Sequence, residues 1–325
     1  MSIALTGAEI DQFRRLGYVV KEGVYSAAAM QPIKDSLTGI IHREALELQE
    51  RGELDDVFAD EPFETRLAEI RFANPAACEH IYRAIMGRGG GGFHGPPMLA
   101  FLRHAPLLSC IEGLIGSDII GSSVYRIRPK IPQWDHGEVP WHQDSGYLLA
   151  HCDVYLIVTC WVPLVDVNVD NGCLHVLPGV QKGGILQHYT GGHAGYLEVP
   201  AGELPGVQPV PLEMRAGDVL FMTNMTPHAS FANATRMVRW SLDLRYQGSD
   251  APTNVGEEPE SYTPEREPVT MACYPPEADF VIRDDRHPER EVVDPSEFQA
   301  LRKKYDRTRA FSPGRGWTPL AERRG

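Results

Sequence analysis

Apolar residues recur at two different spacings along this chain, and the change falls near residue 119. Before it the spacing is helical. Ile10, Phe13 and Leu16 mark one face of a helix predicted over 5–17, with Thr6 and Glu9 placed as a capping box and Gly17 as the stop. Tyr18-Val19-Val20 reads as a short strand. Met30, Ile33, Leu37, Ile40 and Ile41 predict a longer helix over 27–51, and further helices are predicted over 72–86 and 98–115. Between them, 52–70 is acidic and shows no clear period. Gly89 to Gly92 resemble a phosphate loop only superficially. No Gly-Lys-Ser/Thr follows and Pro96-Pro97 stands next, so a flexible loop is expected.

After residue 119, short β-rich runs alternate with Gly, Pro, Asn and Asp: 121–128, 139–143, 153–163, 173–177, 184–188, 208–212, 218–223, 228–232 and 236–246. Many short strands with regular turns predict a sandwich or barrel. The fold expected is mainly β with flanking helices, around a double-stranded β-helix (jelly-roll, cupin-like) core. One domain over 1–325 is expected. Residues 1–118 form a helical support, 119–247 the core, and 248–325 a C-terminal wrap with one helix near 296–305 and a poorly ordered end.

Composition narrows the function. The 325 residues are 42% hydrophobic with a net charge of −13, enough for a sizeable core and unpromising for nucleic acid or an anionic membrane surface. No apolar run is long enough to span a bilayer, and the first residues lack the pattern of a signal peptide. Six scattered cysteines without a CxxC pair suit reduced thiols and a cytoplasmic location.

The candidate chemistry starts at Pro140-Trp141-His142-Gln143-Asp144. On an extended segment His142 and Asp144 share a face, and an imidazole beside a carboxylate supplies two thirds of a facial metal triad. His151-Cys152-Asp153 repeats the spacing, so the motif alone does not decide between them. For a third ligand, His228 opens a strand after the turn at Thr226-Pro227. His175 reads as core or pocket wall, and His188 and His193 as surface or lid residues. Alternation places Arg239, Ser241, Asp243 and Arg245 on one face of their strand. An inward guanidinium needs an anion, which points to Arg239 as a carboxylate anchor; Arg236 and Arg245 read as a solvated face. Arg126, Arg128 and Lys130 hint at a carboxylate or phosphate site, with a solvated face as the plain alternative.

In order and spacing these pieces resemble the phytanoyl-CoA dioxygenase-like family of Fe(II)/2-oxoglutarate oxygenases. The matching segments are Leu5-Thr6 to Val20, the His142–Asp144 motif, and Trp161 with Pro163-Leu164. Asn171-Gly172-Cys173-Leu174-His175-Val176-Leu177-Pro178-Gly179, Gly217-Asp218-Val219-Leu220-Phe221 and His228-Ala229-Ser230 leading to Arg239 complete the set, over roughly residues 5–247. The resemblance implies Fe(II) on His142, Asp144 and His228, and 2-oxoglutarate on Arg239 and Ser230. Tyr125, Arg128 and Trp161 would line the cosubstrate or substrate pocket. Trp141, Tyr147, Leu148, Trp161 and His175 would line it further, under a lid from 183–206. Asp144 stands where related halogenases have Ala or Gly, which leaves no vacancy for a halide. Two features depart from the family pattern: Val180-Gln181-Lys182 follows Gly179, and His151 with Asp153 form an extra polar pair.

The activity implied is hydroxylation of a small molecule, with O2 and oxidative decarboxylation of 2-oxoglutarate to succinate and CO2. Desaturation, epoxidation or cyclisation in natural-product biosynthesis would use the same cofactors. A non-catalytic cupin-like binding protein is the alternative of a different class. A hydrolytic zinc site is disfavoured, since no HxHxD or HExxH occurs. Oligomeric state and substrate identity have no signature in the sequence.

Overall fold

The computed structural model describes residues 3–86, 95–122, 125–134, 137–258, 277–304 and 315–323. Two antiparallel sheets form its centre. The larger runs β1 (Tyr18–Lys21), β8 (Val219–Thr223), β5 (Ile157–Pro163), β10 (Arg239–Gly248), β2 (Ile119–Gly121) and β11 (Phe280–Arg283), with β3 (Arg126–Lys130) also paired to β10. The smaller runs β4 (Val139–His142), β9 (His228–Ser230), β6 (Leu174–Val176) and β7 (Val210–Leu212). This is the jelly-roll core with flanking helices that the spacing predicted.

Period 2 on β10 organises the molecule. Trp240, Leu242, Leu244 and Tyr246 are fully buried toward the helical layer, while Arg239, Asp243, Arg245 and Gln247 line a central cavity. The helical layer is α1 (Gly7–Leu16), α2 (Ala27–Glu50), α3 (Arg66–Ala73), α4 (Pro75–Met86), α5 (Pro96–Leu102) and α6 (Ala105–Ile115). Phe63 stacks on Trp240 at 4.9 Å between ring centres, and the Tyr246 hydroxyl donates to the Leu102 carbonyl at 2.8 Å. The capping box of α1 is present as expected, and Gly17 ends the helix at φ 85°.

Several boundaries differ from the sequence reading. The acidic stretch 52–70 contains the start of α3, and Pro75 opens α4 as a separate helix. The single helix expected over 98–115 is two, divided at Arg103-His104 with Pro106 in the first turn of the second. The run 121–128 divides into β2 and β3, and 184–188 is irregular. β11 went unforeseen in the C-terminal wrap. The expected helix there is α7 (Pro295–Lys304), and the final described residues, 315–323, fold against the site. Gly89–Gly92 and Cys273 lie outside the described residues. The other five cysteines are buried and form no disulfide among the described residues. No single described helix is long and apolar enough to cross a membrane.

Candidate active site

His142 ends β4 and His228 opens β9, and the two strands pair with these residues opposite each other. Their ring centres are 4.2 Å apart. Each ring uses Nδ1 in the same way: His142 Nδ1 lies 2.9 Å from the Pro140 carbonyl and His228 Nδ1 lies 3.0 Å from the Thr226 carbonyl. A carbonyl only accepts, so Nδ1 carries the proton in both, and both Nε2 atoms keep a lone pair for a metal. Burial first, then His228, depresses the His142 pKa to about 3, which keeps the ring neutral as ligation requires.

Asp144 does not lie on the strand with His142, as the HxD reading supposed. β4 stops at His142, Gln143 is extended, and Asp144 begins a 3-10 turn over Asp144–Tyr147. The turn is forced by its surroundings. The Ser145 amide donates to the Asn224 carbonyl, and Gly146 lies so close to the His188 ring that a Cβ would come within 2.9 Å of it. The carboxylate still converges on the imidazoles. His142, Asp144 and His228 form, among the described residues, the one cluster of metal-type donors, with ligand atoms all within 4.8 Å of one another. Two neutral imidazoles and a carboxylate fit Fe(II) and leave further positions for exogenous ligands.

Asp144 is held from behind by groups that the sequence reading passed over. Thr159 Oγ1 donates to Oδ2 at 2.6 Å. Arg245, expected on a solvated face, is half-buried and grips both oxygens, Nη2 to Oδ1 at 2.8 Å and Nε to Oδ2 at 3.2 Å. Burial pushes the Asp144 pKa up, but Arg245 and the two histidines outweigh it and hold the carboxyl well below its usual range.

His188 is likewise no lid residue. It is fully buried, its Nε2 accepts the Gln143 amide at 2.9 Å, and its Nδ1 faces the Leu186 carbonyl at 2.8 Å. Gln143 spends its side chain on Gly184, Leu186 and Met225, tying the metal-binding turn to both neighbouring loops. The extra pair resolves differently: Asp153 forms an ion pair with Arg315, which also donates from Nε to the carbonyls of Ser145 (3.0 Å) and Leu148 (2.8 Å). Trp317 Nε1 donates to the Gly146 carbonyl at 2.8 Å.

At the other end of the cavity, Arg239 is 3% exposed. Its Nη1 meets Ser241 Oγ at 2.5 Å, its Nη2 meets Ser230 Oγ at 3.3 Å, and its Nε has no partner among the described residues. Trp161 lies beneath it at 5.2 Å. Burial, opposed by Asp243, depresses its pKa to about 10. No carboxylate among the described residues forms an ion pair with it. A buried guanidinium held by hydroxyls and a ring, with one donor left over, fits the distal carboxylate of a dicarboxylic cosubstrate. Lys130, opposite Arg239 in register, donates to the carbonyls of Ser230 (3.0 Å) and Phe231. Burial and then Arg239 lower its pKa to about 6.

The cavity, about 260 Å³, is lined by these residues together with Tyr147, Leu148, Trp161, Arg126 and Arg128. The basic trio on β3 therefore faces inward. Three sequence candidates lie elsewhere. Trp141 points opposite to His142 and packs with Leu177, Val180, Val199 and Ala229. His175 points opposite to Leu174 and meets Phe231 edge-on at 4.8 Å. Tyr125 is buried between Phe298 and Arg302 of the C-terminal wrap. Of the expected lid, Tyr196 reaches the cavity.

Comparison with known proteins points to one family. The family model for phytanoyl-CoA dioxygenase (PhyH) matches residues 13–241. The Arabidopsis thaliana phytanoyl-CoA dioxygenase is 30% identical over 115 residues, which is 35% of this chain and 40% of the relative. Less than half of that relative is therefore covered, and its activity does not transfer directly. A methylphosphonate hydroxylase of Gimesia maris is 25% identical over 246 residues, covering 76% of this chain and 82% of its own. Among solved structures, the non-heme monooxygenase ThoJ aligns over 91% of this chain and 95% of its own, at 17% identity and a TM-score of 0.52, a likeness of fold. A family model spanning most of the chain and a His-Asp-His donor set at the centre of a jelly roll together place this chain in the phytanoyl-CoA dioxygenase family, whose enzymes use Fe(II) and 2-oxoglutarate.

Proposed function

We propose that the protein hydroxylates a small molecule, with oxidative decarboxylation of 2-oxoglutarate to succinate and CO2. The observation that carries the reading is one cavity with a metal-type donor triad at one end and a buried guanidinium without a carboxylate at the other. His142, Asp144 and His228 would hold Fe(II), which when bound supplies O2 activation coupled to cosubstrate oxidation. Arg239 and Ser230 would hold the distal carboxylate of 2-oxoglutarate, with Trp161 packed against the guanidinium. Thr159 and Arg245 fix the Asp144 carboxylate, and Tyr147, Leu148 and Tyr196 narrow the cavity against water.

The relative named as a methylphosphonate hydroxylase favours hydroxylation of a small substrate over other outcomes of the same cofactor chemistry. Desaturation, epoxidation and cyclisation are distinguished by product mass, since hydroxylation adds one oxygen. The test of the reading is succinate formation that requires both Fe(II) and 2-oxoglutarate. A protein that binds neither would be a binding protein on a shared fold.

A further inference from the structure

Five basic side chains line the cavity, and four of them are committed. Arg245 grips Asp144, Arg239 awaits the cosubstrate, Lys130 donates to two carbonyls, and Arg126 pairs with Glu277 at 3.1 Å and with the Tyr125 carbonyl. Arg128 is different. Its Nε donates to Asp243 Oδ2 at 2.9 Å, but its two terminal nitrogens have no partner among the described residues. Its side chain is 29% accessible and it lines the cavity.

Two hydroxyls stand near it. Tyr82 comes from α4 and Tyr196 from the loop after Gly195, and both line the cavity. Neither hydroxyl has a hydrogen-bond partner among the described residues, and both tyrosines line the same cavity as Arg128. These residues come from a helix and a loop outside the barrel strands, away from the β10 face that carries Arg239. In register, Arg128 sits opposite Ser241, two positions along from the Arg239 and Lys130 pair. That is about 7 Å of strand, so a carboxylate on Arg239 and Ser230 leaves Arg128 free.

Charge counting agrees. With Lys130 largely neutral near pH 7, and with Arg302 sharing Glu277 with Arg126, the arginines Arg126, Arg128, Arg239, Arg245 and Arg302 face three carboxylates, Asp144, Asp243 and Glu277. One ferrous ion and one 2-oxoglutarate dianion cancel each other, so loading the site leaves its excess positive charge in place. A buried excess of that kind favours an anion.

We propose that the substrate is a small organic oxyacid, a carboxylate or a phosphonate, whose head group is held by the terminal nitrogens of Arg128 with the hydroxyls of Tyr82 and Tyr196. The proposal rests on the oxygenase reading. A guanidinium fork with two flanking hydroxyls supplies several charge-assisted donors to one oxyanion. Tyr196 closes over the head group from the loop, while the rest of the substrate extends toward the metal triad.

The test uses the full chain with Fe(II) and 2-oxoglutarate. Succinate release is followed with short straight-chain carboxylates, alkylphosphonates, and carboxamides and alcohols of the same lengths. At least one acid stimulates release and its neutral counterpart does not; which acid series acts identifies the head group. Arg128→Gln raises the KM for that acid at least about tenfold, while 2-oxoglutarate affinity, read from the charge-transfer absorption of its Fe(II) complex, stays parental. The pair Arg128→Gln with Asp243→Asn removes both charges, so the result stands even where the single variant folds poorly. Equal stimulation by neutral analogues, no response to any acid, or a loss of 2-oxoglutarate affinity in the Arg128 variants overturns the proposal. Failure of the parental protein to form the Fe(II)–2-oxoglutarate complex at all is a separate result, and it removes the oxygenase reading together with the proposal.

Discussion

Asp144 owes its orientation to Thr159 and Arg245, and this makes Arg245 the residue whose loss should be felt first at the metal. Arg245→Met leaves the carboxylate buried without its counter-charge. Fe(II) affinity should fall about 10–100-fold, measured by competition with a chromogenic chelator; an unchanged affinity would reduce Arg245 to a counter-ion. Arg239→Ala acts at the other end. It removes a charge-assisted pair from a dry site, so 2-oxoglutarate affinity should fall at least about tenfold while Fe(II) affinity holds. His188 governs a pH dependence. Burial, partly opposed by the Leu186 carbonyl, depresses its pKa to about 4 from an ordinary 6.5. As pH falls from 6.5 toward 4 the unfolded chain takes up this proton first, so stability is lost across that window and nothing changes above it. The loss is at most about 3 kcal/mol. His188→Gln should flatten that part of the urea-unfolding profile, and a variant with the parental slope would show that the acidity lies elsewhere.

At the scale of elements, the stretch 315–323 acts as a brace on the turn that carries Asp144. Arg315 and Trp317 contact Ser145, Gly146, Leu148 and Asp153. A chain ending at residue 314 should bind Fe(II) more weakly and melt lower. Arg315→Ala should reproduce most of the metal effect, and parental metal affinity in both would remove the brace. Gly217 packs directly against the Tyr25 backbone, whose amide donates to its carbonyl at 2.9 Å. Its φ is +89°, and a Cβ there would sit 2.1 Å from the Tyr25 carbonyl oxygen. Gly217→Ala should therefore cost more than the 1–2 kcal/mol of left-handed strain alone, read as a shift in urea midpoint. Element types were legible where the periodic pattern was long, as in α1, α2 and β10. They were missed where one residue broke a pattern, as at Pro75 and Pro106.

For the whole molecule, cofactor binding and stability are linked. Fe(II) and 2-oxoglutarate bind the folded state, so each should raise the melting temperature. At a hundred times its dissociation constant a ligand adds about 2.7 kcal/mol. Chelation should reverse both increments, and Arg239→Ala should lose only the second. The donor set was legible by residue type, but the resemblance to a family, not the motif, chose His142, Asp144 and His228 from the two HxD motifs and the other histidines. His142, Asp144 and His228 sit beside turns, and Arg239 falls on the inward face of an alternating strand. Their supporting residues were not readable. Thr159, Arg245, His188 and Lys130 have ordinary local contexts, and their roles come from partners up to about a hundred residues away, as with Arg245 and Asp144.

The local pattern alone indicated the longer helices and strands, a β-rich core, and which residue types could bind metal and carboxylate, because periodicity and side-chain chemistry are properties of neighbouring residues. Only the tertiary structure decided which of two HxD motifs sits opposite His228, that Trp141, His175 and Tyr125 face away from the cavity, and that Arg245 stands behind the metal carboxylate. Those outcomes depend on strand register and on the packing of distant elements. A one-residue change in register on β4, β6 or β10 would turn Trp141, His175 or Arg245 to the other face while leaving the local pattern untouched.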